Sequence, residues 1–285
     1  EPNIPSAPVS GGNQTVCESS PIQTLTATAT VPDNHTVRWF DQAAGGIEVT
    51  PTLNTVGSKS YFAEAVSIAS TCISATRTEV VLTIQQGPVI PELDADDSKR
   101  IQCEQSPIQT LDANANIINK PDGFTVKWYD TATGGNEVLN PIRNTVGSTT
   151  YYAVLVDDIT DCESNTRTPV TLTILPAPIK PVLVDGGIKT ECSIIPIQTL
   201  NANNYVEPLT GFQFVWYNQE NGGAPIVGEP ILNTVGTATY YVVLQNEDTQ
   251  CQSTERSAVV LTINETPAMP QVSTNCDLGV GNAVV

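Results

Sequence analysis

Seven cysteines are the residues of this sequence best placed to do chemistry, and that chemistry is disulfide formation. Cys17 and Cys72, Cys103 and Cys162, and Cys192 and Cys251 lie 55, 59 and 59 residues apart, one pair in each of three similar stretches. One pair per stretch predicts one disulfide per stretch, and reduced, buried thiols are the alternative. Closing a loop of that size stabilises a small domain by about 4 kcal/mol, because the unfolded chain loses entropy. Disulfides imply an oxidising compartment, outside the cell or in a periplasm. There is no CxxC pair and a single histidine, His35, so zinc-finger spacing is excluded. Cys276 is the odd cysteine. It lies 84 residues after Cys192, close to the 86 and 89 that separate the earlier first cysteines. It is read as the first cysteine of a fourth module, with a free thiol as the alternative.

Other chemistry finds little to work with. No Ser/His/Asp set recurs between the copies, and no Gly-rich phosphate loop follows a strand. A glycosidase needs two carboxylates held roughly 5–9 Å apart, and the acids here change position from copy to copy. The expected function is therefore not enzymatic. Asp157, Asp158 and Asp161 cluster before Cys162 and are the candidates for calcium, a cation that wants several loop oxygens. The first copy has no acids in the matching loop, and a solvated acidic loop is the preferred reading. No other cofactor is expected, and no other metal.

The elements that carry these residues repeat three times. Each copy runs Cys, Pro-Ile-Gln-Thr-Leu, Val-x-Trp (Phe-x-Trp in the third) plus an aromatic, Gly-Gly, and Asn-Thr-Val-Gly. An aromatic pair, a second Cys, an Arg five residues on, and a closing Val-x-Leu-Thr-Ile or a near copy follow. Residues 1–87, 88–176 and 177–266 are the three modules. Residues 267–285 are a linker and the start of a fourth. Short alternating segments rich in Thr, Val, Ile and Tyr predict strands, with no helical stripe in any long window. The proline-bearing linkers should be extended and semi-rigid, so the modules in series imply an elongated rod.

The order of signals resembles immunoglobulin and fibronectin type III folds: an all-β architecture of three tandem sandwiches. Trp39, Trp128 and Trp216 would be core tryptophans. Tyr61, Tyr151 and Tyr240 would be the corner tyrosines that open a strand after a short turn. Alternation then turns Phe40, Tyr129 and Tyr217 outward, and likewise Phe62, Tyr152 and Tyr241 on the neighbouring strand. These six aromatics are the candidate surface-binding residues, against a purely structural cross-strand pair, which is preferred. Arg77, Arg167 and Arg256 are expected to meet a carboxylate or a strand-end carbonyl of their own module. One departure from antibody domains stands out. The first cysteine precedes the second-strand position and the second follows the aromatic strand, so the predicted bridge ties an edge segment to the loop before the last strand.

The net charge is −18, and each of the three modules is negative. That field disfavours nucleic acid and anionic lipid headgroups as partners. No stretch approaches the roughly 20 apolar residues of a membrane helix, so no direct membrane insertion is expected.

In the second copy, Trp128-Tyr129-Asp130, Gly134-Gly135, Gly147, Tyr151-Tyr152, Cys162-Glu163-Ser164 and Arg167-Thr168 carry a closer resemblance. The array is similar to the Ig-like repeats of large Bacteroidota surface proteins, the gliding-motility adhesins and related type IX secretion substrates. The resemblance implies a secreted, cell-surface location, attached to the outer membrane through other parts of a long chain. It implies a stalk or spacer role in surface adhesion or gliding motility. Neighbouring modules are the expected partners, with surface polysaccharide or other cell-surface proteins beyond them. The alternative is a set of accessory Ig-like or carbohydrate-binding modules of a secreted multidomain enzyme.

Overall fold

Alternation of apolar and polar residues becomes the two faces of a sheet in each copy. In Thr78–Gln85, Val80, Leu82 and Ile84 are buried while the residues between them are not. A computed structural model describes residues 4–118 and 120–270; Cys276 lies outside the described residues.

Each module uses the same six strands. In the first they are β1 (Gln14–Cys17), β2 (Leu25–Thr26), β3 (His35–Phe40), β4 (Thr52–Leu53), β5 (Gly57–Ser67) and β6 (Thr78–Gln85). In the second they are β7 (Ile101–Cys103), β8 (Leu111–Asp112), β9 (Phe124–Tyr129), β10 (Ile142–Arg143), β11 (Gly147–Asp157) and β12 (Thr168–Leu175). In the third they are β13 (Ile188–Cys192), β14 (Leu200–Asn201), β15 (Phe212–Tyr217), β16 (Ile231–Leu232), β17 (Gly236–Asn246) and β18 (Ser257–Asn264). The larger sheet has the order β1-β6-β5-β3, and its counterparts repeat that order. A two-stranded sheet, β2 with β4, covers the other face. These are the immunoglobulin-type sandwiches that the sequence predicts. The edge strand β1 runs parallel to β6, with Gln14 opposite Leu82 and Cys17 opposite Gln85. β5 runs antiparallel to both of its neighbours.

Each core lies between the sheets. Leu25, Tyr61, Val80, Leu82 and Ile84 pack around Trp39 in the first module. Trp128 packs with Leu111, Val170, Leu172 and Ile174 in the second, and Trp216 with Leu200, Val259, Leu261 and Ile263 in the third. Burying each such side chain contributes about 1.5–3 kcal/mol. Trp128 and Trp216 also find partners for their indole N–H groups. Each donates to an asparagine, Asn114 or Asn203, at 2.7 Å. Both asparagines sit in a 3-10 turn opened by Asp112 or Asn201, whose side chain accepts from the backbone two residues on.

The corner tyrosines stand where the sequence places them. The Tyr61 hydroxyl donates to the Thr52 carbonyl, Tyr151 to Ile142 at 2.6 Å and Tyr240 to Ile231 at 2.5 Å. Each bond fastens β5 or its counterpart to the short strand before it. The glycine of Asn-Thr-Val-Gly opens that strand at φ 128°, 110° and 135° in the three copies, a region that residues with a Cβ avoid.

By contact density the chain divides into two compact units. One comprises Glu1–Gln102 and Gln109–Ile174, the first module and most of the second. The other comprises Cys103–Ile108 and Leu175–Val285, so the segment that opens with Cys103 belongs with the third module.

Candidate functional site

The cysteines pair differently from the sequence expectation. Cys17 is bonded to Cys162 and Cys103 to Cys251, with Cα atoms 5.4 Å apart in both. The predicted bridges Cys17–Cys72, Cys103–Cys162 and Cys192–Cys251 are not formed. Cys72 and Cys192 are free thiols. The first cysteine of one module is joined to the second cysteine of the next.

The sheet topology explains why. Cys17 ends β1 beside Gln85, at the pole where the chain leaves the module. Cys72 follows β5 in the loop before β6, at the opposite pole. β6 has eight residues and spans roughly 25 Å at 3.3 Å per residue, whereas a disulfide needs Cα atoms within about 7 Å. The loop of Cys72 faces the incoming linker instead: the Thr78 hydroxyl donates to the Pro8 carbonyl at 2.5 Å. Within the first unit the outgoing pole of the first module thus meets the incoming pole of the second. In the first unit the join is close. A Cβ on Gly87 would lie 2.6 Å from the Glu163 carbonyl oxygen, and the Gln85 side chain reaches the Cys162 sulfur at 3.6 Å.

Each cysteine is held by a repeated device. The glutamine of Pro-Ile-Gln-Thr-Leu clasps the turn after the first cysteine, with Gln23 Nε2 donating to the Cys17 carbonyl at 2.5 Å and Gln198 Nε2 to that of Cys192 at 2.8 Å. The second cysteine sits in a tight loop closed by a backbone bond: Ser67 N to Cys72 O, Asp157 N to Cys162 O and Asn246 N to Cys251 O, at 2.9, 3.0 and 2.9 Å.

The acids before Cys162 serve this loop. Asp157 Oδ1 accepts from the amides of Ile159 and Thr160, both at 2.9 Å. Those bonds hold its carboxyl below the usual aspartate value. Asp158 and Asp161 are exposed. Among the described residues no three His, Cys, Asp or Glu side chains gather where a metal ion could be held. His35 lies on β3 with Nδ1 2.9 Å from the Asp33 carbonyl.

The aromatics expected to face outward pair across strands, but none is exposed as a surface-binding platform would need: Tyr217 is buried, 5% exposed, and Phe40, Phe62, Tyr129, Tyr152 and Tyr241 are half-buried. Phe40 stands opposite Phe62, Tyr129 opposite Tyr152 and Tyr217 opposite Tyr241. A recurring arginine covers one member of each pair. The guanidinium carbons of Arg77, Arg167 and Arg256 lie 3.4, 3.5 and 3.4 Å from the ring centroids of Phe40, Tyr129 and Tyr217. Nη1 of each then donates to two carbonyls of the Gly-Gly turn: Gln42 and Gly45, Thr131 and Gly134, or Gln219 and Gly222, at 2.6–2.8 Å. The arginine bonds within its own module, as the sequence predicts, but to carbonyls of the turn beyond the Trp strand and not to strand-end carbonyls. In the first module it also meets Glu64, which bonds Arg77 at 3.1 Å and Arg38 at 2.7 Å.

A further partner was not anticipated. The residue after the second cysteine bridges back to strand β5 or its counterpart. There Glu163 accepts from the Tyr129 hydroxyl at 2.6 Å and Gln252 from Tyr217 at 2.9 Å. The first module has Ile73 at that position and Phe40 in place of the tyrosine. Burial and the bond to Glu163 push the Tyr129 phenol up to about 12. The exchange was visible in the sequence as a change shared by two columns of the repeat: apolar with Phe, polar with Tyr.

Two disulfides require an oxidising compartment, which makes these extracellular or secreted domains. No helix among the described residues is long and apolar enough to cross a membrane. Solved structures similar to the chain include the N-terminal four Ig domains of Dscam1. Isoform 6.9 is 16% identical over 93% of this chain and 74% of that one, with a TM-score of 0.22. Isoform 8.4 is 16% identical over 91% and 73%, with a TM-score of 0.23. None of the curated proteins matches the chain. The profile of the family described as "Ig-like domain CHU_C associated" matches three times, at residues 5–85, 88–176 and 178–264. The chain therefore belongs to that family of Ig-like domains, as three tandem copies.

Proposed function

We propose that this chain is a non-catalytic stalk segment of a secreted bacterial cell-surface adhesin, a spacer that holds a distal binding part away from its anchor. The observation that carries this reading is the position of the disulfides. Cys17–Cys162 and Cys103–Cys251 each cross a module boundary, so each joint has a covalent strut beside its proline-bearing linker. A protein that had only to fold could staple each module to itself. A protein that must transmit tension gains from struts at its joints. The recurrent residues support the same role, because the arginine and the corner tyrosine bond, and the core tryptophan packs, within their own module. The aromatic face lies partly under guanidinium groups, which favours a structural over a sugar-binding use.

The setting implied by the sequence resemblance, a Bacteroidota surface protein exported by type IX secretion and used in adhesion or gliding motility, completes the proposal. Outer-membrane attachment then lies in other parts of a longer chain, and neighbouring modules are the nearest partners. The test is replacement in the full-length protein on the cell surface. Exchanging residues 1–266 for unrelated Ig-like modules of equal length should leave adhesion intact, and deleting them should weaken it. Adhesion lost in the equal-length exchange would show that these modules themselves carry the binding site.

A further inference from the structure

The two free thiols occupy opposite roles in one repeated joint. Joints run from the first cysteine of a module to the second cysteine of the next. Cys72 is a second cysteine, on the first module. Cys192 is a first cysteine, on the third.

Both are held as their bonded counterparts are held. Cys72 closes the same loop as Cys162 and Cys251, preceded by a residue at φ 57°, against 56° and 60°. A serine two residues on locks each loop to the neighbouring strand. Ala65, Leu155 and Leu244 donate to Ser74, Ser164 and Ser253 at 3.1, 3.0 and 3.2 Å. Exposure separates the three. Cys162 and Cys251 are fully buried by their joints, whereas Cys72 is only half-buried. Cys192 ends its edge strand with Ser193 N donating to Asn264 O at 2.7 Å. Glu18 N to Gln85 O and Glu104 N to Leu175 O do the same after the bonded Cys17 and Cys103, both at 2.8 Å. Cys17 and Cys103 are half-buried and Cys192 is exposed.

The linkers give a second, independent sign. The chain that enters the second and third modules is tied by Thr168 to the Pro91 carbonyl at 2.6 Å and by Ser257 to Pro181 at 2.7 Å. The stretch before the first module takes the same course, tied by Thr78 to Pro8. The chain leaving the second module is tied to the residue after the bonded cysteine, with Ala177 N donating to Glu104 Oε2 at 3.1 Å. The chain leaving the third repeats this, with Thr266 N donating to Ser193 Oγ at 3.0 Å. Both ends of the array are thus set in the geometry that elsewhere leads into a joint.

We propose that Cys72 and Cys192 are open half-joints for Ig-like modules of this same class. Cys72 takes the first cysteine of a module on its incoming side, and Cys192 takes the second cysteine of a module on its outgoing side. The two half-joints are complementary, so a second copy of this chain satisfies either. With oxidised glutathione as oxidant, the Cys192 thiolate attacks the glutathione disulfide and expels one glutathione thiolate. The Cys72 thiolate of the next copy then attacks the Cys192 sulfur of that mixed disulfide and expels the second. Two protein thiols become one disulfide and one oxidised glutathione becomes two reduced molecules. Like pairs, Cys72 with Cys72 or Cys192 with Cys192, would set two incoming or two outgoing poles together, an arrangement neither existing joint uses.

The test uses the 285-residue chain carrying Cys276→Ser, at about 1 mM to match the effective concentration of tethered modules. It is incubated with a mixture of reduced and oxidised glutathione, then run on non-reducing gels and mapped by mass spectrometry. The expected result is a ladder of covalent oligomers in which Cys72–Cys192 peptides exceed the like pairs by about tenfold or more, a bias of roughly 1.4 kcal/mol. Adding Cys72→Ser or Cys192→Ser should collapse the ladder to monomer with little dimer. Statistical mixing of the three pairs, glutathione adducts without oligomers, or exchange of either thiol into the existing joints would each overturn the proposal.

Discussion

Cys17 and Cys162, 145 residues apart in sequence and in different modules, are bonded with their Cα atoms 5.4 Å apart. A loop that long removes a large share of unfolded-chain entropy, about 5 kcal/mol in the loop-closure account. It also overlaps the loop closed by Cys103–Cys251, whose separation is 148 residues, so the two effects are not additive.

The first prediction concerns that overlap. Replacing both Cys17 and Cys162 by serine should lower the stability of the first unit by about 3–5 kcal/mol. It should also split a shared unfolding transition into separate steps for the first and second modules. Urea melts followed by tryptophan fluorescence read both, because Trp39 and Trp128 lie in different modules. An unchanged midpoint would mean that the joint contributes nothing to folding.

Arg256 tests the clasp. Its guanidinium stacks on Tyr217 and bonds two turn carbonyls at once, a geometry that a lysine ammonium cannot reproduce. Arg256→Lys should therefore cost about 2–3 kcal/mol, nearly as much as Arg256→Ala. Thermal unfolding of the two variants makes the comparison. A lysine variant close to wild type would reduce the clasp to a point charge.

Glu64 offers an internal control. It is 4% exposed and bonds two arginines, whereas the matching positions hold Val154 and Val243. Glu64→Ala should cost about 2–3 kcal/mol, less than a fully buried pair because the Arg38 side chain is 40% exposed and regains water. Arg38→Val with Glu64→Val copies the Val215–Val243 pair of the third module. That double variant should return to within about 1 kcal/mol of wild type in chemical denaturation.

Tyr129 supplies a pH dependence. Its folded value, about 12, lies above the ordinary phenol value of 10.0 because burial and Glu163 disfavour the phenolate. A raised acid holds its proton more tightly when folded. The stability it contributes is complete below pH 10 and is lost as pH rises toward 12. A tyrosinate absorbance titration should show late-titrating phenols, because burial raises Tyr240 as well, and Tyr129→Phe should remove one of them. The same variant should flatten the alkaline decline in stability. A titration with no late component would place Tyr129 in water.

How much of this was legible in the sequence depends on the range of the interaction. Trp128, Tyr151 and Arg167 act within one module, and a three-copy repeat averages away everything except such local roles. Parity along a strand then assigns faces, which is why Tyr129 and Tyr152 could be placed side by side. The cysteine partners were not legible for a related reason. Any pairing that steps by a whole module has the same periodicity as one that stays inside, so regular spacing could not separate Cys17–Cys72 from Cys17–Cys162. Direction along the sheet separates them: β1 parallel to β6 carries Cys17 to one pole, and the loop after β5 carries Cys72 to the other. That parallel edge pairing has no signature in composition or alternation.

The central claim, that the disulfides join successive modules, is tested most directly by mapping them in the native protein. Free thiols are alkylated at low pH, the chain is digested without reduction, and linked peptides are identified by mass spectrometry. The predicted outcome is Cys17 linked to Cys162 and Cys103 linked to Cys251, with Cys72 and Cys192 carrying the alkyl label. Linked peptides joining Cys17 to Cys72, Cys103 to Cys162 and Cys192 to Cys251 would contradict it.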